Sequence, residues 1–184
     1  MSFADEDLKI MDSIISRYPR SRSAIMPLLH YVQYKSGYVT NDGIELISQK
    51  LGIEAAEVSA VATFYTQYKR KPVGEYHIGV CTNTLCAIMG GDAIFSALKD
   101  HLGIENDGVT SDGKVSLEHI ECNAACDYAP VVMANWEFYD NQTVESAKAL
   151  VDGARNGNPP APTRSEEHTS ELQSQSTISY AVFC

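Results

Sequence analysis

The feature that most constrains the fold of this chain is the placing of four of its five cysteines in two close pairs. Cys81 and Cys86 stand in the segment VCTNTLCAIMGG, and Cys122 and Cys126 stand in HIECNAACDYAP. The 35 residues between Cys86 and Cys122 are enough for a helix and a returning strand, which would bring the second pair back beside the first. Four thiols can then meet in one place.

The expected cellular compartment of the chain favours a metal site or catalytic thiols over structural disulfides. The first residues, MSFADEDLKIMDSI, are acidic and have no apolar core of a secretory signal, so we expect a cytoplasmic and reducing location. A net charge of −10 argues against a nucleic-acid or anionic-membrane partner, because binding phosphate groups requires a basic surface. No apolar run approaches the ~20 residues that span a bilayer, so we expect no direct membrane insertion.

The spacing of the cysteines leaves several kinds of site open. Zinc sites of four cysteines usually have two to four residues within each pair, and C-x4-C and C-x3-C lie at the loose end of that range. A [2Fe–2S] cluster also takes four thiolates, two on each iron, and its greater length suits wider loops. Neither pair has the C-x-x-C spacing of a thiol oxidoreductase.

The residues around the cysteines favour a cluster. They are small or polar, which lets backbone N–H groups turn towards sulfur: Thr82, Asn83, Thr84, Asn123, Ala124 and Ala125. His77 and His119 lie on predicted strands nearby, but four cysteines already suffice as ligands. The spacing of the cysteines already makes an iron–sulfur cluster the best single interpretation, and the flanking residues add to it. The alternatives are a zinc-stabilised interaction domain, a thioredoxin-like thiol enzyme and four unligated buried cysteines.

Hydrophobic spacing predicts a helical first part. Four segments show the helical period, and they are DEDLKIMDSIISRYP, RSAIMPLLHYVQYKSG, TNDGIELISQKLG and EAAEVSAVATFYTQY. The short connections between them predict an antiparallel bundle. We therefore expect an N-terminal helical bundle over residues 1–72.

The period changes near Val73. Strands are predicted in GEYHIGVCT and VSLEHIEC, a hairpin turning at Asn135 in VVMANWEFYD, and helices in GGDAIFSALKDHLG and TVESAKALVDGARNG, the last capped by Thr143. The order β-α-β-β-β-α predicts a thioredoxin-like α/β domain with a mixed sheet over residues 73–157, and an α+β fold class for the whole chain. Both cysteine pairs would lie in loops just after strands. Pro130 is a candidate cis-proline, since thioredoxin-like folds often place one before a strand.

Residues 158–184 are predicted to be a linker followed by a non-native tail. NGNPPAPT has the composition of a linker. From Arg164 onward, RSEEHTSELQS can be back-translated to a DNA sequence that resembles a common sequencing-adapter read. We interpret this tail as an assembly artefact, with a genuine disordered tail as the alternative, and leave Cys184 out of the metal-site argument.

Two regions of the chain carry a resemblance to a known family. CTNTLC and ECNAACDYAPVVMAN, together with the upstream GYVTNDGIELISQKLGI and VSAVATFYTQY, resemble the thioredoxin-like [2Fe–2S] ferredoxin subunits of NADH–quinone oxidoreductase, the 24 kDa or E subunits of complex I. The resemblance covers roughly residues 5–157. One departure is CNAAC, where many relatives have Leu-Gly at positions 123 and 124, although the spacing of the cysteines is kept.

The resemblance implies one [2Fe–2S] cluster bound by Cys81, Cys86, Cys122 and Cys126, and no catalytic residue. It implies an electron-transfer subunit of NADH:quinone oxidoreductase that exchanges single electrons with the FMN of a partner flavoprotein, the F-type subunit of complex I. FMN and NADH would bind that partner, since this sequence has no G-x-G-x-x-G loop.

The same resemblance implies a place for the chain in the cell. The chain would be part of an oxidoreductase without being catalytic alone, and would join the larger peripheral arm. Through that complex it would be peripheral on the cytoplasmic side of the inner membrane. The alternative in the same class is the equivalent diaphorase subunit of an NAD-linked hydrogenase or formate dehydrogenase.

Overall fold

The structure, a computed structural model, describes residues 3–164. These residues divide after Pro72 into two compact units, the first helical and the second built on a mixed sheet. The predicted α+β fold class is therefore confirmed. Residues 165–184, with Cys184 and nearly all of the predicted non-native tail, lie outside the described residues, so the interpretation of that tail stays a prediction.

The first unit has four α-helices whose apolar faces form one core. The helices are α1 (Asp5–Ser16), α2 (Ile25–Ser36), α3 (Asn41–Leu51) and α4 (Ala55–Phe64), with a 3₁₀ turn at Ser21–Ala24. Gly37 and Gly52 end α2 and α3 in the left-handed conformation, as their positions in the sequence predicted. The side chains at the centre of this core are fully buried, and they include Met11, Leu28, Leu29, Val32, Ile47 and Val58.

A buried carboxylate joins α1 to α2. Asp7 is only 6% exposed, and the Tyr31 hydroxyl donates to its Oδ1 at 2.6 Å. Lys35 Nζ lies 2.9 Å from the same oxygen, and the Ala4 amide donates to Oδ2 at 2.9 Å. These contacts, that of Tyr31 foremost, lower the pKa of Asp7 to about 2. The charged form of Asp7 therefore stabilises the helical unit.

Replacing Asp7 with asparagine should destabilise the chain at neutral pH by about 1–2 kcal/mol, because hydrogen bonds to a charged group become neutral ones. The pKa of Asp7 is lower in the folded chain than in the unfolded chain, so its contribution is complete above the unfolded value. It is lost as pH falls from about 4 towards about 2. Urea unfolding of wild type and variant should differ at pH 7 and converge near pH 2.

Asp12 supplies the matched control for this prediction. Its side chain is 64% exposed, although it pairs with Lys50 on α3. Asp12→Asn should change the free energy of unfolding by less than about 0.5 kcal/mol. Equal effects of the two substitutions, or an Asp7 effect that does not depend on pH, would contradict the stabilising role of the buried carboxylate.

The second unit contains five strands and three α-helices. The strands are β1 (Tyr76–Cys81), β2 (Gly108–Val109), β3 (Val115–Ile120), β4 (Val132–Ala134) and β5 (Glu137–Tyr139), and the helices are α5 (Thr84–Ile88), α6 (Gly91–Leu102) and α7 (Val144–Arg155). The strand order is β2-β3-β1-β4-β5. Only the β1–β3 pair is parallel among the pairs in residues 3–164, so the predicted mixed sheet is confirmed.

The apolar side chains of the central strands pack against α6 and α7. Ile78, Val80 and Leu117 from the sheet are fully buried in one cluster with Ile94, Leu98 and Leu150 from the helices. This core keeps β1 and β3 side by side, with Cys81 opposite Ile120 at the ends of both strands. The end of the sheet that carries the cysteines is thereby fixed.

Several local features match the sequence predictions, while one α-helix and one strand were missed. The β4–β5 turn has positive φ at Asn135 and Trp136, Thr143 accepts from the Ser146 amide at the start of α7, and the Ala129–Pro130 bond is cis, as predicted. The five-residue α5 and the two-residue β2 are too short to show a period, and neither was predicted. None of the helices in residues 3–164 combines the length and the apolar composition needed to cross a membrane.

Candidate metal centre

The first cysteine pair is held by β1 and α5. Cys81 is the last residue of β1, and Cys86 lies inside α5, so the prediction that both stand in loops was wrong for this pair. The Cys81 amide donates to the Val131 carbonyl at 3.1 Å, which extends the sheet beyond β4 to the cysteine itself. Both thiols are 2% exposed and lie within hydrogen-bonding reach of each other.

The second cysteine pair lies in the segment that follows β3. Cys122 is exposed, and Cys126 begins the 3₁₀ turn Cys126–Tyr128 instead of lying in a simple loop. The two sulfur atoms are 3.5 Å apart. Each pair is therefore a close couple of thiols.

The structure brings all four predicted cysteines to one small cavity. It is lined by Cys81, Cys86, Cys122, Asn123, Ala125, Cys126 and Val131. All four thiols are free of disulfide bonds. Within residues 3–164, no three His, Cys, Asp or Glu side chains are grouped around one point as a single metal ion requires.

Backbone amides point at two of the sulfur atoms. The Val131 amide donates to the Cys86 sulfur, and the Ala124 amide donates to the Cys122 sulfur at 3.4 Å. Burial raises the pKa of Cys86 to about 11, and the Val131 amide opposes this change because it favours the thiolate. The hydrogen bond with Cys122, followed by burial, raises the pKa of Cys126. The thiols therefore need a cationic ligand to be held as thiolates together.

A glycine allows α6 to start directly against the first pair. A Cβ at Gly91 would lie 2.5 Å from the carbonyl oxygen of Cys81 and 2.9 Å from that of Cys86. No side chain fits this space, so the helix approaches the cysteine backbone only because position 91 has no Cβ. The positive end of the α6 dipole consequently lies beside the first pair, where it favours negative charge.

The loop between Cys122 and Cys126 contains an unfavourable backbone conformation. Ala124 has φ of 56°, in the left-handed region that costs a residue with a Cβ about 1–2 kcal/mol. It is one of the two positions at which CNAAC departs from the Leu-Gly that the resemblance places there. Alanine by itself does not mark a positive φ, whereas the glycine that the resemblance places at position 124 would.

Ala124→Gly should raise the free energy of unfolding by about 0.5–1 kcal/mol, since glycine adopts this conformation freely and the gain exceeds its entropic cost. Ala125 is the matched control, because its φ is −103° and its side chain is 5% exposed. Ala125→Gly should lower the free energy of unfolding instead. Urea unfolding curves of the two variants and the wild type test the difference in sign, and a loss of stability in both variants would contradict the assigned backbone strain.

The two candidate histidines have other partners. His77 Nδ1 lies 2.9 Å from Ser116 Oγ, and its Nε2 lies 2.9 Å from Glu118. The His119 ring packs edge-on against Phe95. Neither is among the described residues that line the thiol cavity. The candidate ligands are therefore the four cysteines alone, without His77 or His119.

An arginine lies against the 3₁₀ turn that contains Cys126. Arg164 donates to both carboxylate oxygens of Asp140 at 2.6 Å, and its guanidinium lies over the ring of Tyr128 at 5.0 Å. A longer contact of 3.2 Å reaches Asp127, the residue after the cysteine. The hydrogen bond with Asp140 is the main reason why the pKa of Arg164 is raised. Arg164, with which the predicted non-native tail begins, is thus paired with Asp140 and Asp127.

Residues 11–155 match the family model described as thioredoxin-like [2Fe–2S] ferredoxin. The chain belongs to this family. The resemblance carried by the two cysteine motifs is thereby confirmed.

Bacterial relatives of known name share most of this chain. The E subunit of the NADH-quinone oxidoreductase of Mycobacterium tuberculosis is 65% identical over 151 residues, which cover 82% of this chain and 60% of the relative. The corresponding E subunit of Rickettsia bellii is 42% identical over 158 residues, covering 84% of this chain and 95% of the relative. The chain therefore spans about 60% of the length of the mycobacterial relative.

A solved structure supports the fold assignment. The NAD+-reducing [NiFe]-hydrogenase in its air-oxidized state has a chain that matches with a TM-score of 0.62 and 19% identity. The match covers 72% of this chain and 23% of the hydrogenase chain. At this identity the likeness shows a shared fold alone.

Proposed function

We propose that this chain holds one [2Fe–2S] cluster through Cys81, Cys86, Cys122 and Cys126, and that it serves as an electron-transfer subunit of an NADH:quinone oxidoreductase. The observation that carries the proposal is the meeting of four free thiols, as two pairs, at one cavity. Two pairs suit a two-iron cluster, since each iron takes two thiolates.

The residues around the thiols fit such a group. Ala124 and Val131 donate amide hydrogens to sulfur, and the space left by Gly91 admits the positive end of α6 beside the first pair. These groups favour the thiolate form, and they offset the negative charge that four thiolates concentrate in one place. The donor set is therefore matched to an anionic cluster of iron and sulfide.

A bound [2Fe–2S] cluster supplies one-electron redox chemistry. The chain's own task is to hold the four thiolates in fixed positions and to limit water around the first pair, whose sulfur-bearing residues are 2% exposed. No proton transfer by a side chain is needed. The amide donors to Cys86 and Cys122 would make the site easier to reduce, because they stabilise added negative charge.

The proposal extends to a partner. We infer that a flavoprotein equivalent to the F-type subunit of complex I binds NADH and FMN, and that this chain exchanges single electrons with the FMN. The names of the relatives in Mycobacterium and Rickettsia support this setting. In it the chain would not oxidise NADH alone, and would lie on the cytoplasmic side of the membrane through the larger peripheral arm.

Co-expression with the flavoprotein encoded in the same genome tests this partnership. The two chains should purify together, and NADH should reduce the iron–sulfur centre in the pair, seen as an electron paramagnetic resonance signal, while the chain alone with NADH stays oxidised. Failure to co-purify, together with no NADH-dependent signal in the mixture, would contradict the assigned partner. The cluster itself is tested separately by iron and sulfide content.

A further inference from the structure

The side chain of Asn83 does not cap the helix at whose start it stands, but bonds to another strand. Asn83 stands between Cys81 and Cys86 and is the N-cap residue of α5, with φ of −81° and ψ of 163°. Asparagine is among the preferred N-cap residues because its side chain accepts from amides of the first helical turn. Here the side chain makes no capping bond, and its Nδ2 donates to the carbonyl oxygen of Ile120 at 3.2 Å.

The acceptor of this bond, the Ile120 carbonyl oxygen, lies where the segment that carries the second cysteine pair begins. Ile120 is the last residue of β3 and pairs with Cys81 in the parallel register. Cys122 follows two residues later, just as Asn83 follows two residues after Cys81. The Asn83 side chain thus joins the first cysteine loop to the start of the second, at the point where the β1–β3 ladder ends.

The Asn83–Ile120 bond lies just beyond the end of the β1–β3 pairing, where backbone hydrogen bonds between the strands no longer set the distance between the two cysteine segments. Beyond the pair of Cys81 and Ile120, the register of β1 and β3 does not continue. The second loop is also anchored on its far side, where Asn123 Nδ2 lies 2.8 Å from the Met133 sulfur on β4. Asn83 therefore bonds to the segment that carries the other cysteine pair, and Asn123 bonds to strand β4.

We propose that Asn83 is a positioning residue that fixes the separation of the two thiol pairs by holding Ile120. The expected effect of Asn83 on cluster binding rests on the proposed function, because a cluster that bridges the two thiol pairs needs both pairs at a fixed distance. Groups that bond directly to a metal ligand typically change metal affinity by about 10–100-fold when they are removed, and we expect the lower end of this range for Asn83, which bonds to a residue near the ligands. Asn83 touches no reacting atom, and acts only through the cysteines on either side of the bond.

Two substitutions separate positioning from helix capping. Asn83→Ala removes both the bond to Ile120 and any capping ability. Asn83→Ser restores a good capping side chain, yet serine is too short to reach the Ile120 carbonyl. Asn156→Ala is the matched control, because Asn156 is exposed and lies in the same unit at the end of α7. Circular dichroism at the working temperature first establishes that each variant is folded.

The first readout needs no cluster. In the metal-free, reduced chain, a thiol reagent should label the buried Cys81 and Cys86 several-fold faster in both Asn83 variants than in wild type. The second readout uses the reconstituted chain, where loss of visible absorbance on adding an iron chelator should be about tenfold faster in both variants. The electron paramagnetic resonance spectrum of the reduced chain should broaden, which a purely structural defect elsewhere would not cause.

The outcomes are distinct. Faster labelling and faster release in both Asn83 variants, with Asn156→Ala like wild type, support the positioning role. A serine variant that behaves like wild type assigns Asn83 to helix capping, and wild-type rates in both variants assign it no role at the site; either result overturns the inference. If wild type itself takes up no iron and sulfide, the proposed function fails, and the labelling rates alone then decide whether Asn83 fixes the thiol pairs.

Discussion

Replacing Cys86 with alanine should lower the iron and sulfide content of the purified chain at least about tenfold. Cys86 is 2% exposed, and its sulfur accepts from the Val131 amide, so its removal leaves a buried position without a thiolate ligand. Loss of a direct ligand should exceed the effect of losing a supporting bond, which is about 10–100-fold in affinity. Iron and sulfide assays, with the visible absorbance, measure the result.

Cys184→Ala is the matched control for this substitution. Cys184 lies in the predicted non-native tail, and the cluster proposal gives it no part. Its replacement should leave iron, sulfide and absorbance at the wild-type values. A Cys86→Ala chain that keeps its full iron and sulfide, or a Cys184→Ala chain that loses them, would contradict the proposed ligand set.

Gly91→Ala should destabilise the second unit by about 1–3 kcal/mol. In a helix that has room for a methyl group, this change normally stabilises a protein by about 0.4–1 kcal/mol. Here the new Cβ would lie 2.5 Å from the Cys81 carbonyl oxygen and 2.9 Å from the Cys86 carbonyl oxygen, both of them backbone atoms. The helix or the cysteine loop must therefore move, and the thiols with it.

Urea unfolding of the chain measures this effect, and the rate of cluster loss to a chelator should rise in parallel. Ser96→Ala, at an exposed position of the same helix, should change the free energy of unfolding by no more than about 0.5 kcal/mol. A Gly91→Ala chain as stable as wild type would show that α6 can withdraw from the cysteines without cost. The close approach would then have no part in holding the site.

The parts of the fold that could be predicted are those that long apolar patterns determine. The apolar spacing of α1, α6 and α7, the glycines that end α2 and α3, and the cap at Thr143 are local features, and all of them occur in the structure. Elements such as α5 and β2 are set by their surroundings. Five or two residues are too few to show a period, so only packing against α6 and β3 reveals them.

The candidate site divides in the same way. Cysteine identity and spacing are visible in the sequence, and they were enough to bring Cys81, Cys86, Cys122 and Cys126 into one hypothesis. The Val131 amide that donates to sulfur has no sequence signal, because every non-proline residue carries an amide. Its direction depends on how the chain returns between Pro130 and β4. The same holds for the bond from Asn83 to Ile120, which asparagine alone would have suggested as a helix cap.

The visible absorption spectrum of the chain after anaerobic reconstitution with iron and sulfide tests the central claim most directly. We expect a red-brown protein with about two irons and two sulfides per chain, and absorbance that bleaches when dithionite is added. A colourless protein that retains no iron after reconstitution, or one that holds zinc in its place, would contradict the electron-transfer function, while the thioredoxin-like fold would stand.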